Sequence, residues 1–225
     1  MSDLSPNADM LQRCAQSFAP HESLAKGLLP HAVGHDDGSH DVAHLLRVWS
    51  NARTIQANEG GDLRLLAAAV LLHDCVAVEK DSPLRGQSSR LAAEKARGLL
   101  VAGRWSPQDI AAVAHAVEAH SFSAGVVPQT LEAKILQDAD RLDAIGMIGA
   151  ARCFYVAGRL RSQLYDPLDP QAEHRPLDDR QFAIDHFQTK LLTLASGFQT
   201  AKGAMLAQER HARLVRFLQA FLSEI

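Results

Sequence analysis

The sequence predicts an all-α protein. Three observations carry this: aromatic residues make up only 5% of the chain, alanine and leucine dominate, and apolar positions recur at three and four residues rather than alternating. The 225 residues hold 47% hydrophobic side chains against 22% charged ones, with 14 Gly and 9 Pro. That is enough apolar material to close a core, and it is unlike the composition of a disordered chain. The length favours one domain with at most a modest appendage. The expected architecture is a single compact helical bundle, with its core over residues 30–160 and two C-terminal helices packed on it over residues 179–224.

Helices are expected over residues 41–58, 62–74, 88–101, 107–120, 129–159, 179–197 and 200–223, with shorter ones before residue 30. Gly60-Gly61-Asp62 ends the first of these and caps the second, so the two should be antiparallel neighbours. The second, LRLLAAAVLLHD, is the most apolar element and must be buried. Ser106-Pro107-Gln108-Asp109 signs the start of the fourth with an N-cap hydroxyl, a proline at the first helical position and an acid in the first turn. Asp166–Arg180 carries three prolines and several charges, and reads as an exposed loop between the main bundle and the C-terminal helices. Trp49 and Trp105 read as packing residues, and Met147 and Ile148 as core.

Twenty-three basic against 26 acidic side chains leave a formal charge of −3, so nothing global attracts nucleic acid or an anionic membrane. Cys14, Cys75 and Cys153 stand far apart without a C-x-x-C pair, which indicates neither a disulfide framework nor a zinc knuckle. The N-terminal MSDLSPNADM lacks a basic and apolar leader, and the longest apolar run, residues 65–72, falls far short of the ~20 residues that span a bilayer. A soluble cytoplasmic protein is the expectation.

Three segments can carry chemistry. His73-Asp74 delivers an imidazole and a carboxylate to the end of the buried helix, where a charge needs a partner and a metal ion can engage both groups. Asp138, Asp140 and Asp143 crowd three carboxylates into six residues of an apolar helical pattern, an arrangement that repels itself unless a cation sits among them. At about 100° per residue, Asp140 and Asp143 share a face while Asp138 lies nearly opposite, so either Asp138 or Asp140 could be an inward ligand. His40 and His44 stand at i and i+4, as in the H-E-x-x-H zinc enzymes. Asp41 occupies the glutamate position, however, and no third ligand follows at the required spacing, so a zinc protease is not indicated.

Together these segments resemble the HD-domain superfamily of metal-dependent phosphohydrolases, an all-helical family with the ordered ligand set H…HD…D. The matching positions are His44 in HLLRV, His73-Asp74 in LLHD, and Asp140 in Ala139-Asp140-Arg141-Leu142. It is the resemblance, not periodicity, that favours Asp140 over Asp138. The similarity is closest to the small stand-alone bacterial HD hydrolases. It extends to His120-Ser121-Phe122, to residues 80–89 and to the C-terminal HFQTKLLTLASGFQTAKGAMLAQERHARLVRFL, covering residues 30–224.

The resemblance implies hydrolysis of a small phosphate compound such as a nucleoside triphosphate, releasing pyrophosphate or phosphate. Two imidazoles and two carboxylates suit one divalent ion, with manganese favoured and magnesium, ferrous iron, cobalt and nickel as alternatives. Asp74 and Asp143 are the candidate catalytic groups. The acid that several HD families carry three residues after the dyad is replaced by Ala77, which leaves Asp143, Glu79 and Asp81 as candidate bases. Lys80, Arg85 and His120 are the candidate substrate-binding residues, an arginine being able to grip two phosphate oxygens. His115 and His120 formally permit a di-iron HD oxygenase, though their spacing fits it poorly. A non-catalytic metal- or nucleotide-binding regulatory module is the other alternative. Lys190 and Arg210 could reach a substrate or pair with surface acids, and a homodimer is compatible with the sequence.

Overall fold

A computed structural model describes residues 8–32, 41–76, 78 and 85–225. Every extended element among them is a helix, as the composition predicts, and the one β-contact is an isolated bridge between Gln163 and Phe182. Lys80, Glu79, Asp81, Ala77, His35 and His40 lie outside the described residues, as does the side chain of Arg85. The chain divides into two compact units, Met1–Asp140 and Arg141–Ile225.

The first unit contains α1 (Ala8–Gln16), α2 (Glu22–Ala32), α3 (Val42–Glu59), α4 (Leu63–Leu72), α5 (Ser88–Ala102), α6 (Pro107–Ala119) and most of α7 (Leu131–Asp143). Helix α4 is apolar all round and therefore central. Leu66 through Leu72 are buried, and α2, α3, α5 and α6 pack against it. Removing one such leucine from water contributes roughly 1.5–3 kcal/mol.

Capping sets where the helices begin. Asp62 accepts from the backbone N–H groups of Arg64 and Leu65 at 2.8 and 3.0 Å, and Ser106 accepts from Asp109 N at 3.1 Å. Asp41 accepts from His44 N at 2.8 Å, which pins the first turn of α3. At the Gly60-Gly61 turn both residues have positive φ, a conformation that glycine adopts without strain. Trp49 stacks on Phe18 with ring centroids 4.7 Å apart, and Arg64 lies over the Trp105 ring.

The second unit contains α8 (Gly146–Leu160), the short α9 (Asp185–Thr189) and α10 (Ala201–Leu222). Its core joins Ala150, Ile184, Phe187, Leu191 and Leu214, with Phe154, Phe217 and Phe221 packed around them. Helices α8 and α10 pack together.

Three expectations are corrected here. The single helix over 129–159 is two helices, α7 and α8, broken where Ile145 is extended and Gly146 has φ +72°. A Cβ on Gly146 would come within 3.2 Å of the Arg210 side chain, so this break is tightly occupied. The break also re-phases α8. Its inward residues include Gly149, Ala150 and Ala157, while Met147 and Ile148 are exposed at 55% and 40%. They are not core.

The helix expected over 179–197 is only α9 followed by the 3-10 turn Leu191–Thr193. A helix does not continue from residue 179 because the backbone N–H groups of Ala183 and Ile184 bond the Gln163 and Leu164 carbonyls at 2.8 and 3.0 Å instead of carbonyls four residues earlier. Residues 166–180 form the exposed loop that the prolines and charges predict, and side-chain bonds staple it. Arg175 bonds the buried Asp185 and pairs with Asp166, and Asp169 accepts from the N–H groups of Glu173 and His174.

Candidate metal centre

Five side chains from four helices of the first unit converge. His44 comes from the first turn of α3, His73-Asp74 from the end of α4, His120 from the end of α6, and Asp140 from α7. His44 Nε2 lies 3.3 Å from His73 Nε2, 3.5 Å from Asp140 Oδ1 and 3.7 Å from Asp74 Oδ2. His73 Nε2 is 3.4 Å from Asp74 Oδ2, and His120 Nε2 is 3.5 Å from Asp74 Oδ1. The three imidazoles are buried, while the Asp74 and Asp140 carboxylates are 36% and 30% exposed. A small cavity lined by Ala32, Asp41, His44, Leu45, His73 and Asp74 opens beside them.

The donor chemistry fits a cation. His73 Nδ1 lies 2.7 Å from the Val70 carbonyl oxygen. That oxygen can only accept, so Nδ1 carries the proton and Nε2 presents a lone pair. This lone pair faces two carboxylates and another imidazole nitrogen, a meeting of acceptors that a cation resolves. Donors about 2.1 Å from one ion stand about 3.0–3.4 Å apart in octahedral or tetrahedral arrangement, close to the separations observed. His44, His73 and Asp140 offer one atom each within 4.8 Å of one another. His44, His73 and Asp140 are thus able to hold a divalent ion, and the Asp74 carboxylate lies beside them.

Local structure explains two of the three imidazoles. His73 and His120 each end a helix in αR conformation, and each sets Nδ1 on the carbonyl three residues earlier, Val70 and Val117 respectively, at 2.7 and 2.6 Å. Their rings meet edge to face with centroids 5.0 Å apart. Burial pushes the pKa of His73 down. Burial opposes charge on His120, but the hydrogen bond it donates to Asp74, the charges of Asp74 and Asp140 and the Val117 carbonyl outweigh this and raise its pKa to about 9.

Other expected residues fall elsewhere. Asp138 is 1% exposed and Asp140, not Asp138, lies against His44. Asp143 is buried in the second unit with its Oδ2 held 3.0 Å from Arg152, which engages the charge that a proton acceptor would use. His115 Nε2 accepts from the Gln129 N–H at 2.9 Å, so that nitrogen is not offered to a second metal. Arg210 bonds the Leu142 carbonyl, and Lys190 is an exposed residue at the end of α9.

Three supporting residues were missed by sequence reasoning. Asn51 donates to the Ala139 carbonyl at 3.0 Å, fixing α7 beside Asp140. Gln137 donates to the Ala119 carbonyl at 2.7 Å, beside His120. Lys95 donates to the Cys75 carbonyl at 2.7 Å, beside Asp74. Only Asn51 had a linear signal, since it stands seven residues from His44 and so shares its face of α3.

The helical fold and this His-Asp centre define a metal-dependent hydrolase, and the chain belongs to the HD-domain superfamily. The HD domain family model matches residues 41–145, which include all five clustered residues. Bacillus subtilis YpgQ is 31% identical over 194 residues, spanning 84% of this chain and 86% of YpgQ. The crystal structure of YpgQ in complex with ADP matches with a TM-score of 0.67 and 29% identity, over 95% of both chains. An HD-superfamily hydrolase from Bacillus thuringiensis matches with a TM-score of 0.67 and 28% identity, over 95% of this chain and 96% of that one.

Proposed function

We propose that this protein is a divalent-metal-dependent phosphohydrolase acting on nucleotides, with His44, His73, Asp74 and Asp140 as ligands and manganese as the favoured ion. The observation that carries the proposal is the convergence of those four side chains, with the His73 Nε2 lone pair directed at carboxylates. A mixed set of two neutral imidazoles and two carboxylates leaves positions open for water and a phosphate oxygen, and suits manganese better than a closed tetrahedral zinc site. The ADP bound by YpgQ, whose chain is similar over nearly the whole length, supports a nucleotide as the ligand class. That coverage spans both units and supports reading residues 1–225 as one HD domain.

A divalent ion in this centre supplies Lewis acidity toward a phosphoryl oxygen and lowers the pKa of bound water. The chain's own residues do the rest. Asp74 and Asp140, each about one-third exposed, are the acceptors placed where water enters, and Asp74 is the candidate to take its proton. With Asp143 engaged by Arg152, Asp74 is the better placed of the two acids for that transfer. His120, whose Nε2 lies 3.5 Å from Asp74 Oδ1, is assigned to the inner edge of the centre, beside the substrate phosphates. Lys80 and Arg85, in the sequence that follows the dyad, are assigned to the phosphate chain of the substrate.

The test is to strip the protein of metal, reload it with single divalent ions and assay nucleoside tri-, di- and monophosphates with product identification. Manganese-dependent release of pyrophosphate or phosphate is expected. Tight nucleotide binding without hydrolysis under any ion would replace the enzyme by a regulatory module.

A further inference from the structure

Phe122 is 62% exposed, an unusual placement for a phenylalanine in a chain with few aromatics. Single exposed apolar residues are common and need no explanation by themselves. Three observations set this one apart. It begins a 3-10 turn, Phe122–Ala124, two residues after His120, so its Cα lies at most about 7.6 Å from that of the buried histidine. The 3-10 turn Arg85–Gln87, where the segment following the dyad resumes, packs beside the Phe122 turn. Val127, later in the same loop, is 71% exposed, so the loop presents apolar surface where a polar one would be expected.

The turn is also held rigidly. Gln137 anchors the Ala119 carbonyl at its base, Ala124 N donates to Ser121 O at 3.0 Å, and Gly125 closes the turn at φ +69°. An exposed ring on a backbone-bonded turn that follows His120 has the chemistry of a stacking surface, because every nucleobase offers a π-face whatever its hydrogen-bonding edge. We infer that Phe122 is a specificity-determining residue that stacks on the base of a nucleotide whose phosphates lie at the His-Asp centre. The inference rests on the nucleotide reading above. It predicts discrimination between nucleotides and base-free phosphates, with little choice among bases.

The test measures binding of ADP and of inorganic pyrophosphate to manganese-loaded wild type, Phe122→Ala and Phe122→Trp by calorimetry, alongside turnover of ATP. Phe122→Ala is expected to weaken ADP on the order of tenfold while leaving pyrophosphate unchanged, and Phe122→Trp to retain ADP binding. Because the side chain is exposed, the melting temperatures of all three proteins should agree. Unchanged ADP affinity in Phe122→Ala, or equal weakening of ADP and pyrophosphate, overturns the stacking role alone when the wild type turns over nucleotides. A wild type that neither binds ADP nor hydrolyses ATP overturns the nucleotide reading, and this inference with it.

Discussion

His44 Nε2 and His73 Nε2 face each other across 3.3 Å, although 29 residues separate them in the chain. Since the Val70 carbonyl holds the proton of His73 on Nδ1, the pair cannot be satisfied by a hydrogen bond that His73 donates from Nε2. Either His44 donates or a cation bridges them, and the adjacent Asp74 and Asp140 carboxylates favour the cation.

If these side chains hold one ion, removing either carboxylate must weaken it. Asp74→Ala is expected to abolish turnover and to weaken metal retention, and Asp140→Asn to reduce retained ion at least tenfold by elemental analysis. Both carboxylates are partly exposed, so neither change should unfold the metal-free protein. Saturating the wild type at 100 times its Kd adds about 2.7 kcal/mol of stability, a rise in Tm of roughly 5–10 °C. In Asp140→Asn that rise should be lost under the same ion concentration. A variant that keeps full activity and the full rise removes Asp140 from the ligand set.

Lys95 holds the turn that carries the dyad. It donates to the carbonyls of Cys75 and His31 at 2.7 and 3.2 Å, while Cys75 Sγ contacts the Ala92 carbonyl at 3.5 Å. Helix α5 thereby grips the residue after Asp74 at two points. Lys95→Met keeps the aliphatic stem and removes the donor. Partners that orient ligands typically matter 10–100-fold, so metal affinity measured by competition with a chelator should fall by roughly tenfold, with Lys95→Arg recovering part of it. Equal affinity in wild type and Lys95→Met would limit Lys95 to the surface.

Arg175 is the keystone of the second unit. Asp185 is 1% exposed and accepts from Arg175 and from the Asp178 N–H, and the guanidinium also stacks over Phe182 at 4.4 Å. Arg175→Met leaves the Asp185 carboxylate without its cation and is expected to destabilise the second unit. Chemical denaturation should show this loss, and the double variant Arg175→Met with Asp185→Asn should recover part of it. A loss below about 1 kcal/mol, the range of exposed pairs, would contradict the buried character of the contact.

Much of the first unit was legible because its signals are local. The caps at Asp62 and Ser106, the Gly60-Gly61 turn and the all-round apolar α4 follow from a few neighbouring residues each, and all stand where the sequence puts them. The second unit was harder to read. The starts of α8 and α9 involve the Arg210 side chain against Gly146 and the Gln163 and Leu164 carbonyls, which take the N–H groups of Ala183 and Ile184. The first of these joins residues 64 apart, and hydrophobic periodicity cannot register either. Met147 and Ile148 were misplaced for that reason, since one broken turn rotates every residue after it.

The sequence by itself determined the helical class, the order of the His and Asp residues, and which helix had to be central, because composition and 3.6-residue periodicity are properties of the chain alone. Tertiary structure set Asp140 against His44, brought His120 to Asp74, and engaged Asp143 with Arg152. Those outcomes depend on how far α3, α4, α6 and α7 are rotated about their own axes when packed. Side-chain donors a few ångströms apart are sensitive to that rotation, and no spacing along the chain encodes it.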